Sequence, residues 1–200
     1  MMSPMVYEKT KNGEALYDIY SRMVKERIVF LHDAVGTEEA TTLCATLLFL
    51  DSQGLKNKEP ISIYINSPGG LVHSGLWTIY DTMNYITSPI QTVCIGEAYS
   101  AASVILMAGT KGKRLAFPHS QIMVHNVLAG VHGSSHEIDK EAKRILKTND
   151  DIVKVVMKHT GKREKVVRDA LKEETYFSAE EALKWGIIDK IVSPKSFITE

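Results

Sequence analysis

The sequence predicts an α/β fold, one domain on a largely parallel sheet. Short β-branched runs alternate with stretches of helical hydrophobic spacing along the whole chain. No repeat, linker or low-complexity segment interrupts them. The 200 residues are enough for one sizeable core. Strands separated by helices in one compact chain favour parallel pairing, because each crossover helix returns the chain to the same end of the sheet.

The elements follow in order. Residues 1–16 are polar and contain Pro4 and Gly13; they read as a mobile arm with at most a short strand near Met5–Tyr7. A short helix over 17–26 (YDIYSRMVKE) leads to a strand, RIVFL. Residues 37–53 carry apolar positions at helical spacing, with a capping-box pattern at Thr37. ISIYINSPGG, 61–70, is a β-branched run that stops at a Pro-Gly-Gly turn. Helix over 71–86, strand over 90–96 and a small-residue helix over 98–109 come next. KRLAF and SQIMVHNVLAG read as strands. Residues 136–160 form a long amphipathic helix with Ile138, Ala142, Ile145, Ile152 and Val156 on related faces. A helix over 163–173 follows, then one that Ser178 caps and Gly186 ends. IIDKIV closes as a strand.

Composition narrows the function. With 44% hydrophobic and 24% charged residues the chain is not a disordered tail. Its 24 basic and 24 acidic residues cancel, so there is no bulk electrostatic case for nucleic acid or an anionic membrane. Cys44 and Cys94 are isolated in apolar surroundings, which suits a reducing compartment and suggests no thiolate metal site. No apolar run reaches the roughly 18 residues that span a bilayer, and the N-terminus lacks a signal-peptide layout. The expectation is a cytoplasmic protein.

The stretch from Cys94 to Arg114, CIGEAYSAASVILMAGTKGKR, carries the first chemical question. Ser100 and Ser103 stand where a strand turns into a helix. The pattern is not the G-x-S-x-G elbow of α/β-hydrolases, and small residues at a helix start commonly serve packing. A serine at such a junction is nevertheless exposed at a sheet edge beside unpaired helix N–H groups. NSPGG supplies a second set of free N–H groups, with Gly69 and Gly70 permitting close backbone approach; otherwise it is a tight turn. A serine nucleophile needs a base, and the histidines are His32, His73, His119, His125, His132, His136 and His159. His125 ends a β-branched run and so lies at a strand tip, as an ordinary core or surface histidine or as that base. His132 and His136 are four apart, but with Gly133 between them and no third ligand nearby they read as a solvated loop. GSSH, 133–136, reads as the cap of the long helix.

Several stretches in one order carry a resemblance: DIYSRMVKERIVFL, IYINSPGG, IYDTMNYI, AGTKGKR, PHSQIMVH, HTG and FSAEEALKWGIID. From about Pro4 to Val192 the chain resembles the ClpP family, the proteolytic subunits of Clp proteases, which are self-compartmentalised serine peptidases. The resemblance implies a crotonase-like α/β spiral fold and two face-to-face heptameric rings around a chamber. Residues 1–16 would be the axial-loop arm, 17–200 the peptidase domain, and the helix at about 136–160 the handle joining the rings. It implies Ser100, the fifth residue of GEAYS, as nucleophile, His125 of IMVH as base, and the backbone N–H groups of Gly70 and Ala101 as oxyanion donors. The reaction would be acyl transfer with no cofactor and no metal. The substrates would be unfolded proteins or peptides, delivered by a Clp-type AAA+ unfoldase ATPase. The ATPase would dock on apolar positions that match Tyr64, Tyr85, Val93, Ile95, Leu115, Phe117 and Val192.

The chain departs from the family pattern at four positions. Tyr99 replaces a small residue, Ala101 a methionine, and Ser62 an aromatic residue. The family's aspartate position holds Glu174, which carries the same charge on one more methylene; Asp169 lies a helical turn or more earlier in the chain. A Ser-His-Glu triad is the first reading. The alternative is a catalytically weak or silent structural subunit of a ring mixed with an active paralogue. A crotonase-type acyl-CoA enzyme and a phage capsid-maturation peptidase are further alternatives, each opposed by the Ser100–His125 pairing or by the AGTKGKR match.

Overall fold

A computed structural model of the chain describes residues 4–11, 13–53 and 59–192. Residues 1–3, 12 and 193–200, the start and tip of the expected arm and the end of the expected 17–200 domain, lie outside the described residues.

The N-terminal region differs from the expected loose arm. β1 (Met5–Thr10) and β2 (Gly13–Asp18) pair antiparallel from Met5↔Asp18 to Thr10↔Gly13. Charge holds this hairpin to α1 (Ile19–Val24): Glu8 accepts from Arg22 Nε at 2.9 Å and Lys25 Nζ at 3.2 Å. The helix starts later than Tyr17 because Asp18 caps it, accepting from the Tyr20 and Ser21 N–H groups. Local polarity concealed the hairpin, whose strands pair with each other.

The rest forms one seven-stranded, mostly parallel sheet in the order β3-β4-β5-β6-β9, with β7 branching from β5 and β8 pairing with β7. Its strands are β3 (Ile28–Val35), β4 (Ile61–Gly70), β5 (Ile90–Tyr99), β6 (Arg114–Ala116), β7 (Gln121–Val124), β8 (Thr175–Ser178) and β9 (Lys190–Ile191). β8 is the antiparallel strand. Leu31, Ile61, Ile63 and Ile65 are fully buried, as strands covered on both faces must be. α2 (Thr37–Gln53) and α3 (Thr78–Tyr85) pack together, α2 over β3. α4 (Ala101–Met107) buries every residue it has against β4 and β5. α5 (Ser135–Thr160) covers α4 only with its C-terminal half, where Ile152, Val153 and Val156 are buried. Its N-terminal half, 135–147, projects with mostly exposed side chains.

Other boundaries shift for identifiable reasons. β4 continues through Pro68 to Gly70 instead of ending in a turn, because the Leu71 N–H still bonds Val35 O. Residues 72–77 form a wide π-helical turn before α3. In α2 the Gly36 carbonyl accepts from Ala40, so Thr37 is inside the first turn and not the cap. β7 stops at Val124, well short of the predicted strand: Asn126 N–H turns to Leu171 O and Val127 N–H to Asn149 Oδ1. α6 (Glu164–Leu171) and α7 (Ala179–Trp185) complete the chain. Ser134 and Ser178 both form capping boxes, with Glu137 and Glu181, and Gly186 ends α7 at φ 90°.

Arg114 pins the sheet's far side. Although 1% exposed, it forms a two-point ion pair with Asp189 (2.9 and 2.7 Å) and donates to the His159 carbonyl at 2.9 Å. Asp189 also accepts from the Gly112 and Arg114 N–H groups. This donor set outweighs its burial and holds its carboxyl well below the usual range.

Candidate active site

The site forms where three strands end side by side. β5 ends at Tyr99, α4 begins at Ala101, and Ser100 alone makes the turn, at φ 53° and ψ −122°. For a residue with a Cβ this conformation costs of order 1–3 kcal/mol and persists only where the surroundings hold it. The Ser100 N–H bonds Met123 O at 2.9 Å on one side, and its carbonyl accepts from Ser103 N–H at 3.0 Å and Ser103 Oγ at 2.6 Å on the other. The strained turn lifts the Ser100 side chain out of the sheet.

The two serines therefore differ sharply. Ser103 is 1% exposed and its hydroxyl is spent on the turn. Ser100 is half-buried, and its Oγ lies 2.8 Å from His125 Nε2. His125 follows the last residue of β7, whose pairing with β5 (Tyr99↔Met123) sets it beside Ser100. Among the described residues, His125 Nδ1 has no hydrogen-bond partner.

Backbone donors face the same spot. Gly69 sits at φ +88°, and a Cβ there would lie 2.4 Å from Tyr99 O, 2.8 Å from Ser100 Cβ and 3.0 Å from Ala101 N. Only glycine lets β4 pass this close to the serine turn. Ser67 secures the approach: its buried hydroxyl donates to Asp33 O at 2.5 Å and accepts from the Gly69 N–H at 3.1 Å. The Leu71 N–H points to β3. N–H groups alternate along an extended chain, so that of Gly70 does not point to β3. The Ala101 N–H, first in α4, has no carbonyl within the helix to bond. Gly70, Ser100, Ala101 and His125 line one pocket of about 220 Å³, whose inner wall is apolar: Val72, Leu76, Val104, Ile152 and Val156.

Glu174 stands differently. β7 and β8 pair from Gln121↔Ser178 to Val124↔Thr175. Glu174 and His125 each adjoin the last pair, just outside the ladder. Its carboxylate, however, accepts from the Tyr176 hydroxyl at 2.9 Å. Asp169 is exposed on α6. Tyr99, the bulky neighbour of the serine, packs edge-on against Tyr176 with ring centroids 5.8 Å apart and donates to Gln121 Oε1. Burial, then the Glu97 carboxylate, push its phenol above the ordinary range.

The other histidines lie elsewhere. His132 and His136 are exposed, in a loop and at the start of α5. His159 bonds Tyr80 Oη at 3.1 Å, and burial, reinforced by Lys158 and Arg114, pushes it down to about 4. Among the described residues no group of three His, Cys, Asp or Glu is arranged to hold a metal, and no helix is long and apolar enough to cross a membrane.

Of the positions singled out for docking, Tyr64, Val93, Ile95 and Leu115 lie on the sheet, while Tyr85 ends α3 and Phe117 and Val192 follow β6 and β9. Tyr64, Val93 and Leu115 form one register row across β4, β5 and β6. Val93 is 2% exposed, while Tyr64, Ile95, Leu115 and Val192 are half-buried. Tyr85 and Phe117 are exposed, at 79% and 37%. Sequence reasoning missed Phe30, whose ring lies 5.6 Å from that of Tyr64, although RIVFL carries the signal. It also missed the Ser67 latch and the Tyr176 contact, for the latter of which the nearness of a tyrosine two residues after Glu174 was the available cue.

Residues 11–195 match the family model described as Clp protease. The ATP-dependent Clp protease proteolytic subunit of Deinococcus radiodurans is 47% identical over 190 residues, covering 94% of this chain and 91% of that one.

Proposed function

The chain belongs to the Clp protease family, and on that premise we propose that it is a serine endopeptidase working through Ser100 and His125. The observation that carries this is the 2.8 Å contact between Ser100 Oγ and His125 Nε2 at a strained turn. His125 takes the Ser100 proton as Oγ attacks a peptide carbonyl, then gives it to the leaving amine. An acyl-enzyme ester remains on Ser100. His125 next activates a water, and the ester is hydrolysed. The oxyanion forms between the N–H groups of Gly70 and Ala101, which are backbone donors fixed in advance. Ala101 gives the same donor that any residue would, so its small side chain costs the reaction nothing. The apolar wall of the pocket suits an apolar substrate side chain.

The same reading extends to assembly. The chain forms stacked heptameric rings, with the projecting α5 between them, and receives unfolded protein from a Clp-type AAA+ ATPase docked over the Tyr64, Tyr85 and Phe117 face. It works in the cytoplasm and uses no cofactor. One observation favours a second reading, a weak or silent subunit of a mixed ring: Glu174 is bonded to Tyr176 and leaves His125 without its third partner.

Fluorophosphonate labelling of the purified protein, mapped by mass spectrometry with Ser100→Ala as control, tests the proposal. Stoichiometric label on Ser100 is expected. A protein that forms rings yet takes no label would transfer the lead to the silent-subunit reading.

A further inference from the structure

The sheet register sets up a competition for one carboxylate. β7 and β8 run antiparallel with Val124 opposite Thr175 and Met123 opposite Tyr176. His125 and Glu174 each adjoin the Val124–Thr175 pair, just past the end of the ladder, so the histidine and the carboxylate flank the same strand end. Glu174, the residue before β8, and Tyr176, two residues on, are joined by their 2.9 Å hydrogen bond. The carboxylate thus has two donors near it: the Tyr176 hydroxyl across one residue, and the His125 Nδ1–H past the end of the ladder. His125 already commits Nε2 to Ser100, so Nδ1 is the nitrogen left for a carboxylate.

Tyr176 is itself held. Its ring packs against Tyr99, the residue before the nucleophile, and Tyr99 is anchored on Gln121. Glu174 is exposed, so its side chain meets no packing barrier to rotation.

Resting on the peptidase reading above, we propose that Tyr176 is a positioning residue that parks Glu174 away from His125, so that activity depends on the carboxylate exchanging the Tyr176 hydroxyl for His125 Nδ1–H. The proton inventory does not change: Tyr176 keeps its proton and turns to water, and neutral His125 donates from Nδ1 while Nε2 accepts from Ser100. The tyrosine hydroxyl lowers the population of the triad-competent arrangement, and the observed rate scales with that population.

Tyr176→Phe removes the competing donor and keeps the ring against Tyr99. In the purified full chain, the labelling rate of Ser100 by a fluorophosphonate should rise roughly three- to tenfold, the range for losing one ordinary hydrogen bond. For a short fluorogenic peptide, kcat should rise while KM stays fixed. In a Glu174→Ala background the same substitution should change nothing, because there is no carboxylate to release. Label on wild-type Ser100 with no gain in Tyr176→Phe overturns the switch and leaves the peptidase reading standing. An equal change in the Glu174→Ala background also overturns it, since Tyr176 would then act through packing on Tyr99. No label in either wild type or Tyr176→Phe overturns both. Label appearing only in Tyr176→Phe is the strongest support.

Discussion

Replacing Gly69 by alanine puts a methyl group where the chain has no space for one. The new Cβ would lie 2.4 Å from Tyr99 O and 2.8 Å from Ser100 Cβ. Restoring an ordinary 3.4 Å contact needs about 1 Å of relative movement between β4 and the serine turn. The left-handed φ of +88° adds a penalty of about 1–2 kcal/mol for any side chain. β4 cannot yield easily, because Ser67 ties this segment to Asp33 and Gly70 rests against Val35, where a Cβ would come within 2.5 Å of Val35 O. The displacement therefore falls on Ser100 and on the two N–H groups around it. A misplacement of about 1 Å costs roughly a hundredfold in rate. Gly69→Ala should accordingly lower peptide kcat/KM and Ser100 labelling by about a hundredfold, while the protein still assembles, as judged by light scattering. Labelling at the wild-type rate would show that β4 does not constrain the nucleophile, and the close approach of Gly69 would then have no part in setting the Ser100 turn.

Ser103→Ala should keep the Ser100 label and cost only about 1 kcal/mol of stability, the usual worth of one hydrogen bond; loss of the label would reassign the nucleophile. Arg114→Met removes the two-point ion pair but leaves Asp189 with Lys111 at 3.3 Å and two backbone N–H groups, and should destabilise by about 1.5–3 kcal/mol in denaturant melts, whereas the double change to Met and Asn should recover much of that. The carboxyl of Asp189 is depressed in the fold, so its contribution is full above the ordinary carboxylate pKa of about 4 and fades as pH falls below it. Asp189→Asn should flatten stability against pH in that acid range, and an unchanged slope would refute the assignment. His159 is held near 4, below its unfolded value of about 6.5. The unfolded chain therefore takes up the proton first, and stability falls as pH drops from about 6.5 to 4; His159→Gln should remove that slope from a thermal-melt series. Tyr85→Ala, at a side chain 79% exposed, should leave peptide hydrolysis intact and reduce degradation of a folded protein in the presence of a Clp ATPase.

By itself the sequence determined most of the sheet's strands and helices and several of their caps, but not β8 or the start of α2. Hydrophobic period and capping chemistry are local, and Ser178, Gly186 and the 135–160 helix follow from residues a few positions apart. It also brought Ser100, His125 and the Gly69–Gly70 turn forward as one set, through the resemblance they carry. Other features needed the fold. The hairpin of 5–18 is polar and obtains its bonds from a partner strand and from residues of and beside α1, Arg22 and Lys25 among them. That Ser100 and not Ser103 meets the histidine depends on a strained turn that no propensity encodes. The Arg114–Asp189 pair joins residues 75 apart. Where Glu174 rests was beyond a linear reading as well: its position in the chain fits a triad, but only the ladder register and a tyrosine two residues on decide which donor it meets. Periodicity is a property of neighbours in the chain, whereas a site is a property of strands that meet end to end.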